Sequence, residues 1–393
     1  MPKNHALILL LCLLGPPTDA NTDALVYEEQ TLVLDGVNRR VRVPKGYRLE
    51  LLGRLDAPRM LTFAANGDLF IGSRSGKVYR LAPPYAQAEV LVQLRDYPHS
   101  VALRGNEILI AQTGGVYRAP YRPGQAKLDP EALTMLAALP GGGGHNSRTV
   151  RVGPDGRVYA SLGLRGNCSD EYLGEPYPFE ARRGGVLVLR EDGGQARWET
   201  FAAGLRNPVG FDWQPRTGAM FASNNGPDHH GFDQPPEYFS RLAPGSFHGM
   251  PWFQFDGKHI RRDECMARTP PRPLREVTAP AASFPARNAP MGVAFVPAGA
   301  MDKRLELDAI VALRGSWGTP PGGGAASRRP PKLVAVRFQA DKALRVDDLI
   351  TGFQLPDGQR WARPVGVAIG PDGALYFTSD SDTNGLFRLR RTK

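Results

Sequence analysis

Short alternating strands separated by tight turns recur along most of the chain. In the unit TVRVGPDGRVYASLG, which begins at Thr149, polar and apolar residues alternate, a Pro-Asp-Gly turn follows, and a second apolar strand completes a hairpin. Alternation with a period of two is typical of a half-buried β-strand, and Pro-Asp-Gly favours a tight turn through proline's fixed φ and glycine's access to positive φ. Similar units begin near residues 60, 100, 149, 208, 290 and 364.

The same hairpin pattern occurs six times, which indicates a repeat architecture. Further strands such as GGVLVLRED (184–192) and KLVAVRF (332–338) follow several of the hairpins. The pattern predicts an all-β fold: a six-bladed β-propeller of four-stranded antiparallel blades, formed as a single domain by residues 25–393. The units are unevenly spaced, so we expect long loops on one face. A seven-bladed propeller or a two-sheet sandwich explains six copies of the hairpin less well. Residues 130–139 are the one helix candidate, and they would form only one or two turns.

The N-terminus has the pattern of a secretory signal peptide. Lys3 precedes an apolar stretch from Ala6 to Leu14, which is followed by a Gly-Pro-Pro break and small residues. We expect a signal peptide over residues 1–20, with cleavage after Ala20 or after Ala24. The apolar stretch is too short to span a membrane, so the predicted location is the periplasm or the extracellular medium.

Composition and charge narrow the range of expected partners. After cleavage only Cys168 and Cys265 remain, and in an oxidising compartment this pair favours a disulfide bond. The formal net charge is +10, but the arginines are scattered in short pairs rather than gathered in a stripe. Nucleic acid is therefore not an expected partner, whereas an anionic cofactor, an acidic acceptor protein or a polyanionic surface is.

Polar residues stand just before the first strand of several units. These residues are Arg59, His99, Asn207, Asn288 and Arg363. In a propeller the innermost strands line a central channel, so residues at their starts can converge at the channel mouth. The alternative is that each one only caps a strand or meets solvent. Arg206, next to Asn207, adds a rigid fork of donors suited to a carboxylate, which favours ligand binding.

The segment NNGPDHHGFDQPPEYF (224–239) is rich in oxygen ligands and in Gly and Pro. Calcium takes carboxylate and backbone carbonyl oxygens, and a bent loop presents both. The sequence therefore predicts a calcium site, with the candidate ligands Gly226, Pro227, Asp228, Asp233 and Glu237. A solvated acidic loop remains an alternative, and zinc or copper on His229 and His230 is a further one.

His145 follows four glycines, residues 141–144. Such a run is either a flexible tether or a place where a ligand must approach bare backbone. A neutral imidazole is a natural general base for a hydroxyl proton, although a lone histidine is often only a polar loop residue. The chain has no nucleophile elbow and no phosphate or dinucleotide loop, which disfavours serine hydrolysis and nicotinamide chemistry.

Several longer motifs resemble those of a known family. GLRNPVG, the segment 224–252, NAPMGVAF, RGSWGTP, KLVAVRF and RPVGVAIGPDGALYF occur in this order between about Pro58 and Arg390. Together they resemble the soluble pyrroloquinoline-quinone (PQQ)-dependent sugar dehydrogenases, which include the glucose, aldose and sorbosone dehydrogenase-like proteins. The resemblance implies a six-bladed propeller with PQQ over the channel mouth, calcium on the quinone, and hydride transfer from a sugar or polyol to PQQ C5.

The resemblance also implies roles for individual residues. His145 is similar to the base that takes the hydroxyl proton, and Arg206, counted with it as catalytic, forms with Asn207 the pair that contacts the quinone oxygens. Further expected cofactor contacts are Arg59, Arg314, Lys332 and Arg363. The 225–237 loop resembles the calcium-binding loop. Electrons would pass to a separate acceptor, a soluble cytochrome or a quinone.

The chain departs from the family pattern in places that bear on substrate. Arg314 precedes Gly-Ser-Trp where relatives usually have histidine, Asn288 or a neighbour stands where histidine or serine is common, and the loop 319–331 is lengthened. Two alternative functions therefore stay open. One is a calcium-dependent lactonase-like hydrolase with a metal on Asp228, Asn207 and Glu237, and the other is a cofactor-free propeller that binds glycan or protein.

Overall fold

The computed structural model describes residues 24–340 and 342–392. These residues form six sheets of antiparallel strands, arranged in chain order as the blades of a propeller. The six-bladed prediction is confirmed. The expected signal peptide falls almost entirely on residues 1–23, which lie outside the described residues.

Each blade has four main strands, which in blades 1 to 5 run outward from the channel in chain order. Blade 1 comprises Pro58–Phe63, Leu69–Ser73, Lys77–Leu81 and Glu89–Gln93. Blade 2 comprises Ser100–Arg104, Glu107–Gln112, Gly115–Pro120 and Thr134–Ala138. Blade 3 comprises Val150–Val152, Val158–Leu162, Gly185–Asp192 and Gln195–Ala203, with Ser246–Phe247 added in parallel at its outer edge.

The later blades carry the longer insertions. Blade 4 comprises Phe211–Trp213, Met220–Asn224, Glu237–Leu242 and Ala282–Phe284. Blade 5 comprises Pro290–Phe295, Ala309–Leu313, Lys332–Gln339 and Lys342–Ile350. Blade 6 comprises Ala362–Ile369, Leu375–Asp382, Gly385–Arg391 and, as its outer strand, Tyr47–Arg54 from the other end of the chain. Pairing of Tyr47–Arg54 with Gly385–Arg391 closes the ring, so both chain ends contribute to one blade.

Two hairpins and five short 3-10 turns complete the described structure. The hairpins are Tyr27–Leu34 with Val37–Pro44, and Phe253–Phe255 with Ile260–Arg262. The 3-10 turns are Pro130–Ala132, Phe179–Ala181, Leu274–Glu276, Lys303–Leu305 and Ala325–Ser327. No helix among the described residues is long and apolar enough to cross a membrane.

The helix expected over residues 130–139 is wrong in its second half. Only Pro130–Ala132 forms a single 3-10 turn, started by Asp129, whose side chain accepts the Glu131 N–H. The next residues form the outer strand of blade 2, Thr134–Ala138, which pairs with Gly115–Pro120. Sheet pairing therefore overrides the weak helical preference of this short segment.

Close packing explains the glycine of the Pro-x-Gly triplets at the inner strands, which are residues 208–210, 290–292 and 364–366. A Cβ on Gly210 would lie 2.7 Å from the Gly292 Cα atom, and one on Gly292 would lie 2.7 Å from the Val365 carbonyl oxygen. The inner strands of neighbouring blades thus approach so closely that only glycine fits. This close approach is what brings the strand starts together at one channel mouth.

The apolar core lies between adjacent blades rather than in one centre. Phe221, Phe239 and Phe284 of blade 4 pack with Phe295 and Val311 of blade 5. The largest cluster joins blades 5 and 6 to the N-terminal hairpin. Cys168 and Cys265 are disulfide-bonded, with 5.7 Å between their Cα atoms, which confirms the predicted pair and ties the loop after blade 3's second strand to the insertion of blade 4.

Candidate active site

A cavity of about 280 Å³ opens at one mouth of the central channel. It is lined by residues at or near the ends of the first two strands of blades 1, 3, 4 and 5. They include Arg59, Arg74, Gly144, His145, Asn146, Ser147, Arg206, Asn207, Asn225, Gly226, Asp228, Glu237, Arg287, Arg314 and Trp317. Five of these are arginines and two are carboxylates, so the cavity is suited to an anionic ligand.

Three stacked backbone segments hold His145 in the cavity wall. The His145 N–H donates to the Leu164 carbonyl at 3.3 Å, and the Leu164 N–H donates to the Arg206 carbonyl at 2.7 Å. The stack is tight, since Gly144 has φ +82° and a Cβ there would lie 2.8 Å from the carbonyl carbon of Arg165. Gly163 is equally constrained by the Cβ of His145. The last glycine of the run therefore fixes the imidazole rather than tethering it.

The hydrogen bond of His145 selects its tautomer. Nδ1 lies 2.5 Å from the Leu164 carbonyl oxygen, which can only accept, so Nδ1 carries the proton. Nε2 is then the unprotonated nitrogen. Burial, with the Arg206 charge nearby, lowers the pKa of His145 to about 4. The imidazole is consequently neutral at pH 7 and able to accept a proton at Nε2.

Arg206 and Asn207 stand beside this imidazole. Arg206 is nearly buried, and its guanidinium donates to Asn167 Oδ1 at 3.0 Å and to Asp228 Oδ2 at 3.1 Å. Burial lowers the pKa of Arg206 from its ordinary value, but it stays a cation. The Asn207 backbone is fixed by Asn224, whose side-chain oxygen accepts the Asn207 N–H at 2.9 Å. The Arg206 side chain and the Asn207 backbone are thus held by contacts within the protein.

A second group of arginines lies across the cavity. Arg59 and Arg314 both bind the buried carboxylate of Asp380, with Arg314 Nε 2.8 Å from its Oδ1. Arg363 donates to the Arg314 and Gly315 carbonyls at 3.0 and 2.9 Å. Burial and the charge of Arg314 lower the pKa of Arg363 to about 9. One carboxylate is paired with two of these three cations, which leaves positive charge for a ligand.

Trp317 forms an exposed aromatic lid over this group. Its ring lies 4.2 Å from the Arg363 guanidinium carbon and 5.0 Å from that of Arg314, and 71% of the residue is exposed. An exposed tryptophan on a cationic wall offers a stacking face to a flat or sugar-like ligand.

The 226–237 loop closes the remaining side. Glu237 is buried and accepts the N–H groups of Gly226 and Arg287, each at 2.9 Å. Burial raises the pKa of Glu237 to about 7. The Arg287 guanidinium donates to the backbone carbonyls of Pro227, Asp228, Gly231 and Gln234 and to Asp228 Oδ1.

Comparisons with known proteins agree with this architecture. The family model described as glucose/sorbosone dehydrogenase matches residues 112–388. The chain belongs to the glucose/sorbosone dehydrogenase family. This confirms the resemblance drawn from the motifs, and the match runs from the end of the second strand of blade 2 into blade 6, which includes the 144–318 part of the cavity wall.

Solved structures share the fold of this family member. The holo PQQ domain of pyranose dehydrogenase from Coprinopsis cinerea is 19% identical, with a TM-score of 0.70 over 90% of this chain and 97% of that one. The calcium structure of the Trichoderma reesei family AA12 protein is 18% identical, with a TM-score of 0.72 over 95% and 99%. The soluble aldose sugar dehydrogenase from Escherichia coli, in its apo form, is 16% identical, with a TM-score of 0.63 over 88% and 100%.

One curated relative also spans nearly the whole chain. An uncharacterized protein of Borreliella burgdorferi is 22% identical over 373 residues, which cover 91% of this chain and 93% of that one.

Most of the predicted site residues of this glucose/sorbosone dehydrogenase family member come together. His145, Arg206, Asn207, Arg59, Arg314, Gly226, Asp228 and Glu237 all line the cavity. Arg363 lies directly behind Arg314, and the Pro227 carbonyl binds Arg287. Two predicted residues are placed elsewhere. Lys332 Nζ lies 2.6 Å from Asp348 Oδ1, and Asp233 binds Arg329 at 2.5 Å outside the cavity.

The sequence analysis missed several residues of the site. Arg74 and Trp317 line the cavity, Asp380 neutralises Arg59 and Arg314, and Arg287 fills the loop. Asp380 had a readable signal, because it lies in the second strand of the last unit, at the same position in the repeat as Asn225 in blade 4. Arg74 occupies the same position in blade 1, whereas Trp317 lies in an irregular loop and carries no such signal.

The two cofactors implied by the family fit differently. PQQ carries three carboxylates on a flat ring system, and the cationic wall with its unpartnered Arg59 Nε and its stacking face suits such a ligand. Calcium needs several oxygens at once. The carbonyl oxygens of the 226–237 loop already accept from the Arg287 guanidinium, so this donor set does not fit a calcium ion.

Proposed function

We propose that this protein is a PQQ-dependent sugar dehydrogenase that oxidises an aldose, a sorbosone-like aldehyde or a related polyol. The observation that carries the proposal is the neutral imidazole of His145, fixed through Nδ1 and set in a cavity lined by five arginines. A base beside a cationic, ring-sized cavity is what oxidation of a hydroxyl by an anionic quinone requires.

The arginine wall would hold the cofactor. Arg59 and Arg314 supply planar donors for carboxylates, Arg363 adds positive charge behind Arg314, and Trp317 supplies an apolar face for the ring. PQQ, when bound, supplies an ortho-quinone whose C5 accepts the hydride of the substrate and whose reduced form passes two electrons to a separate acceptor. Asp380 would keep Arg59 and Arg314 in place whether or not the ligand is present.

His145 and Arg206 would do the chemistry that belongs to the protein. The substrate hydroxyl gives its proton to His145 Nε2 while the carbon loses hydride. Arg206 stays cationic and, with Asn207, stabilises the negative charge that develops on oxygen. The low pKa of His145, about 4, also means that the protonated imidazole returns its proton to water readily.

Location and partners follow from chemistry outside the cavity. The disulfide between Cys168 and Cys265 supports export to the periplasm or the medium. The net charge of +10 favours docking of an acidic electron acceptor, a soluble cytochrome or a quinone-linked protein. The metal-dependent lactonase alternative is less well supported, because Glu237 is engaged by two backbone N–H groups and Asp228 by two arginines.

A titration of the purified apoprotein with PQQ tests the proposal. We expect saturable binding at micromolar cofactor, seen as a change in quinone absorbance and quenching of Trp317 fluorescence, followed by dye reduction with at least one aldose or polyol of a panel. Arg314→Met, in the cavity wall, should weaken PQQ binding, whereas Arg190→Met, at the exposed end of a strand of blade 3, should not. A folded protein that binds no PQQ would overturn the proposal, and lactone hydrolysis without PQQ would favour the alternative.

A further inference from the structure

The 226–237 loop encloses a cation that belongs to the protein itself. Arg287 reaches this loop from the segment before blade 5 and makes five hydrogen bonds to it. Nη1 lies 3.0 Å from Asp228 Oδ1, and Nη2 lies 3.0 Å from the Asp228 carbonyl oxygen and 3.1 Å from that of Gln234. The carbonyls of Pro227 and Gly231 complete the set. Four backbone carbonyls and one carboxylate oxygen around one positive charge form the kind of shell that calcium takes.

The backbone holds Arg287 in this position. Its φ of 68° is left-handed, which is uncommon for a residue with a side chain and turns the chain toward the loop. Its N–H donates to Glu237 Oε1 at 2.9 Å, while Glu237 Oε2 accepts the Gly226 N–H at 2.9 Å. One buried carboxylate therefore joins the start of the loop to the arginine that fills it. Arg287 is a built part of the loop and not a surface side chain that happens to rest there.

A metal ion would find these five oxygens already accepting hydrogen bonds from Arg287, and it would find no favourable charge. The guanidinium occupies the space toward which the carbonyls point, and only 11% of the Arg287 side chain is exposed. Asp228 is already shared with a second guanidinium, that of Arg206. A divalent ion here would therefore lie beside two arginines, and the nearby Glu237 carboxylate is already engaged by two backbone N–H groups.

We propose that Arg287 takes the place of the calcium ion in this loop, so that the protein assembles its cofactor site without calcium. Arg287 also lines the cavity, where it presents positive charge to the same region as Arg206. The loop thus keeps the oxygen-rich shape expected from its sequence while its cation is covalently part of the chain. This proposal rests on the proposed function only for the identity of the ligand that Arg287 faces; the content of the loop does not depend on it.

Calcium binding by the apoprotein, without PQQ, is the first part of the test. Isothermal titration of wild-type protein with Ca²⁺ alone should show no site that depends on Asp228. Arg287→Ala, which opens the loop but keeps its oxygens, should gain one Ca²⁺ site and should melt at a higher temperature when millimolar Ca²⁺ is present. Arg329→Ala is the matched control: it removes an arginine that binds Asp233 on the outside of the same loop, and it should gain no site.

Cofactor binding with and without chelator is the second part. Wild-type affinity for PQQ should be the same in excess EGTA and in calcium, whereas Arg287→Ala should bind at least about tenfold more weakly in EGTA and recover in calcium. Arg287→Lys keeps the charge and serves if the alanine variant does not fold; it should take up no calcium.

The outcomes separate this proposal from the proposed function. A wild-type Ca²⁺ site that Asp228→Asn abolishes, a wild-type PQQ affinity that EGTA lowers, or a folded Arg287→Ala protein that binds no Ca²⁺ would each overturn the replacement. Failure of wild-type protein to bind PQQ in any buffer would overturn the proposed function alone, because the calcium titrations of the apoprotein would still decide what fills the loop.

Discussion

Gly143 and Gly144 offer a sharp test of how His145 is positioned, because neighbouring glycines have opposite environments. Gly144 has φ +82°, and a Cβ there would lie 2.8 Å from the Arg165 carbonyl carbon and closer to two further backbone atoms of that residue. A Cβ on Gly143 would meet no atom within 4 Å. Gly144→Ala should therefore disturb the site, and Gly143→Ala should not.

The size of the effect follows from these distances. Non-bonded carbon atoms prefer about 3.5–4.0 Å, so the segments at Gly144 and Arg165 must separate by roughly 1 Å. Left-handed backbone adds about 1–2 kcal/mol for a residue with a Cβ, and forced packing adds about 1–3 kcal/mol. The same separation stretches the bond from His145 Nδ1 to the Leu164 carbonyl, now 2.5 Å. A base misplaced by about 1 Å costs on the order of 100-fold in rate.

The assay is dye-coupled sugar oxidation by PQQ-loaded protein, together with thermal unfolding of the apoprotein. Gly144→Ala should lose about 100-fold in kcat/KM and melt several degrees lower, whereas Gly143→Ala should match the wild type in both. Equal losses in the two variants would mean that the whole run needs glycine for flexibility. An unaffected Gly144→Ala protein would refute the stacked arrangement of His145, Leu164 and Arg206.

Three further predictions concern charge and covalent structure. Because only neutral His145 accepts a proton, kcat/KM should stay constant as the pH falls through 6.5, the ordinary pKa of histidine, and should decline only near pH 4. A midpoint near pH 6.5 in the pH profile would contradict the buried environment of His145. Asp380→Asn leaves Arg59 and Arg314 buried without their carboxylate and should cost about 3–5 kcal/mol in urea unfolding, while Asp192→Asn on the surface should cost almost nothing. Reduction of the Cys168–Cys265 bond, which closes 97 residues, should lower stability by about 2–5 kcal/mol, and dithiothreitol should have no such effect on a variant with both cysteines replaced by serine.

The fold was predictable because it repeats. Each blade begins with the same alternation of polar and apolar residues followed by a turn. A hairpin signal that is weak in one copy therefore becomes strong when it occurs six times. The Pro-x-Gly triplets add a signal of their own, since Gly210 and Gly292 are required where inner strands nearly touch. The repeat fixes the position of residues at the starts of the inner strands, such as Arg59 and Asn207. These residues could therefore be assigned to the channel mouth from sequence.

Residues in the long loops could not be placed in this way. Lys332 begins a strand just as Arg59 nearly does, but its strand is the third of blade 5 and lies away from the axis, where it meets Asp348. His229 and His230 both bind Asp263, more than thirty positions further on, and nothing in the sequence links them. The cation inside the 226–237 loop likewise comes from Arg287, fifty residues from Glu237. Such contacts depend on loop paths, which have no period.

The role proposed for His145 is that of a base acting on a hydroxyl while PQQ occupies the arginine-lined cavity. Anaerobic mixing of PQQ-loaded protein with an accepted aldose measures it most directly, because reduction of the quinone is seen as an absorbance change without an electron acceptor. We predict that wild-type protein bleaches in a single turnover, and that His145→Gln binds PQQ with nearly the same affinity but bleaches at least about 100-fold more slowly. A His145→Gln protein that bleaches at the wild-type rate, or that loses PQQ binding and turnover together, would contradict the account.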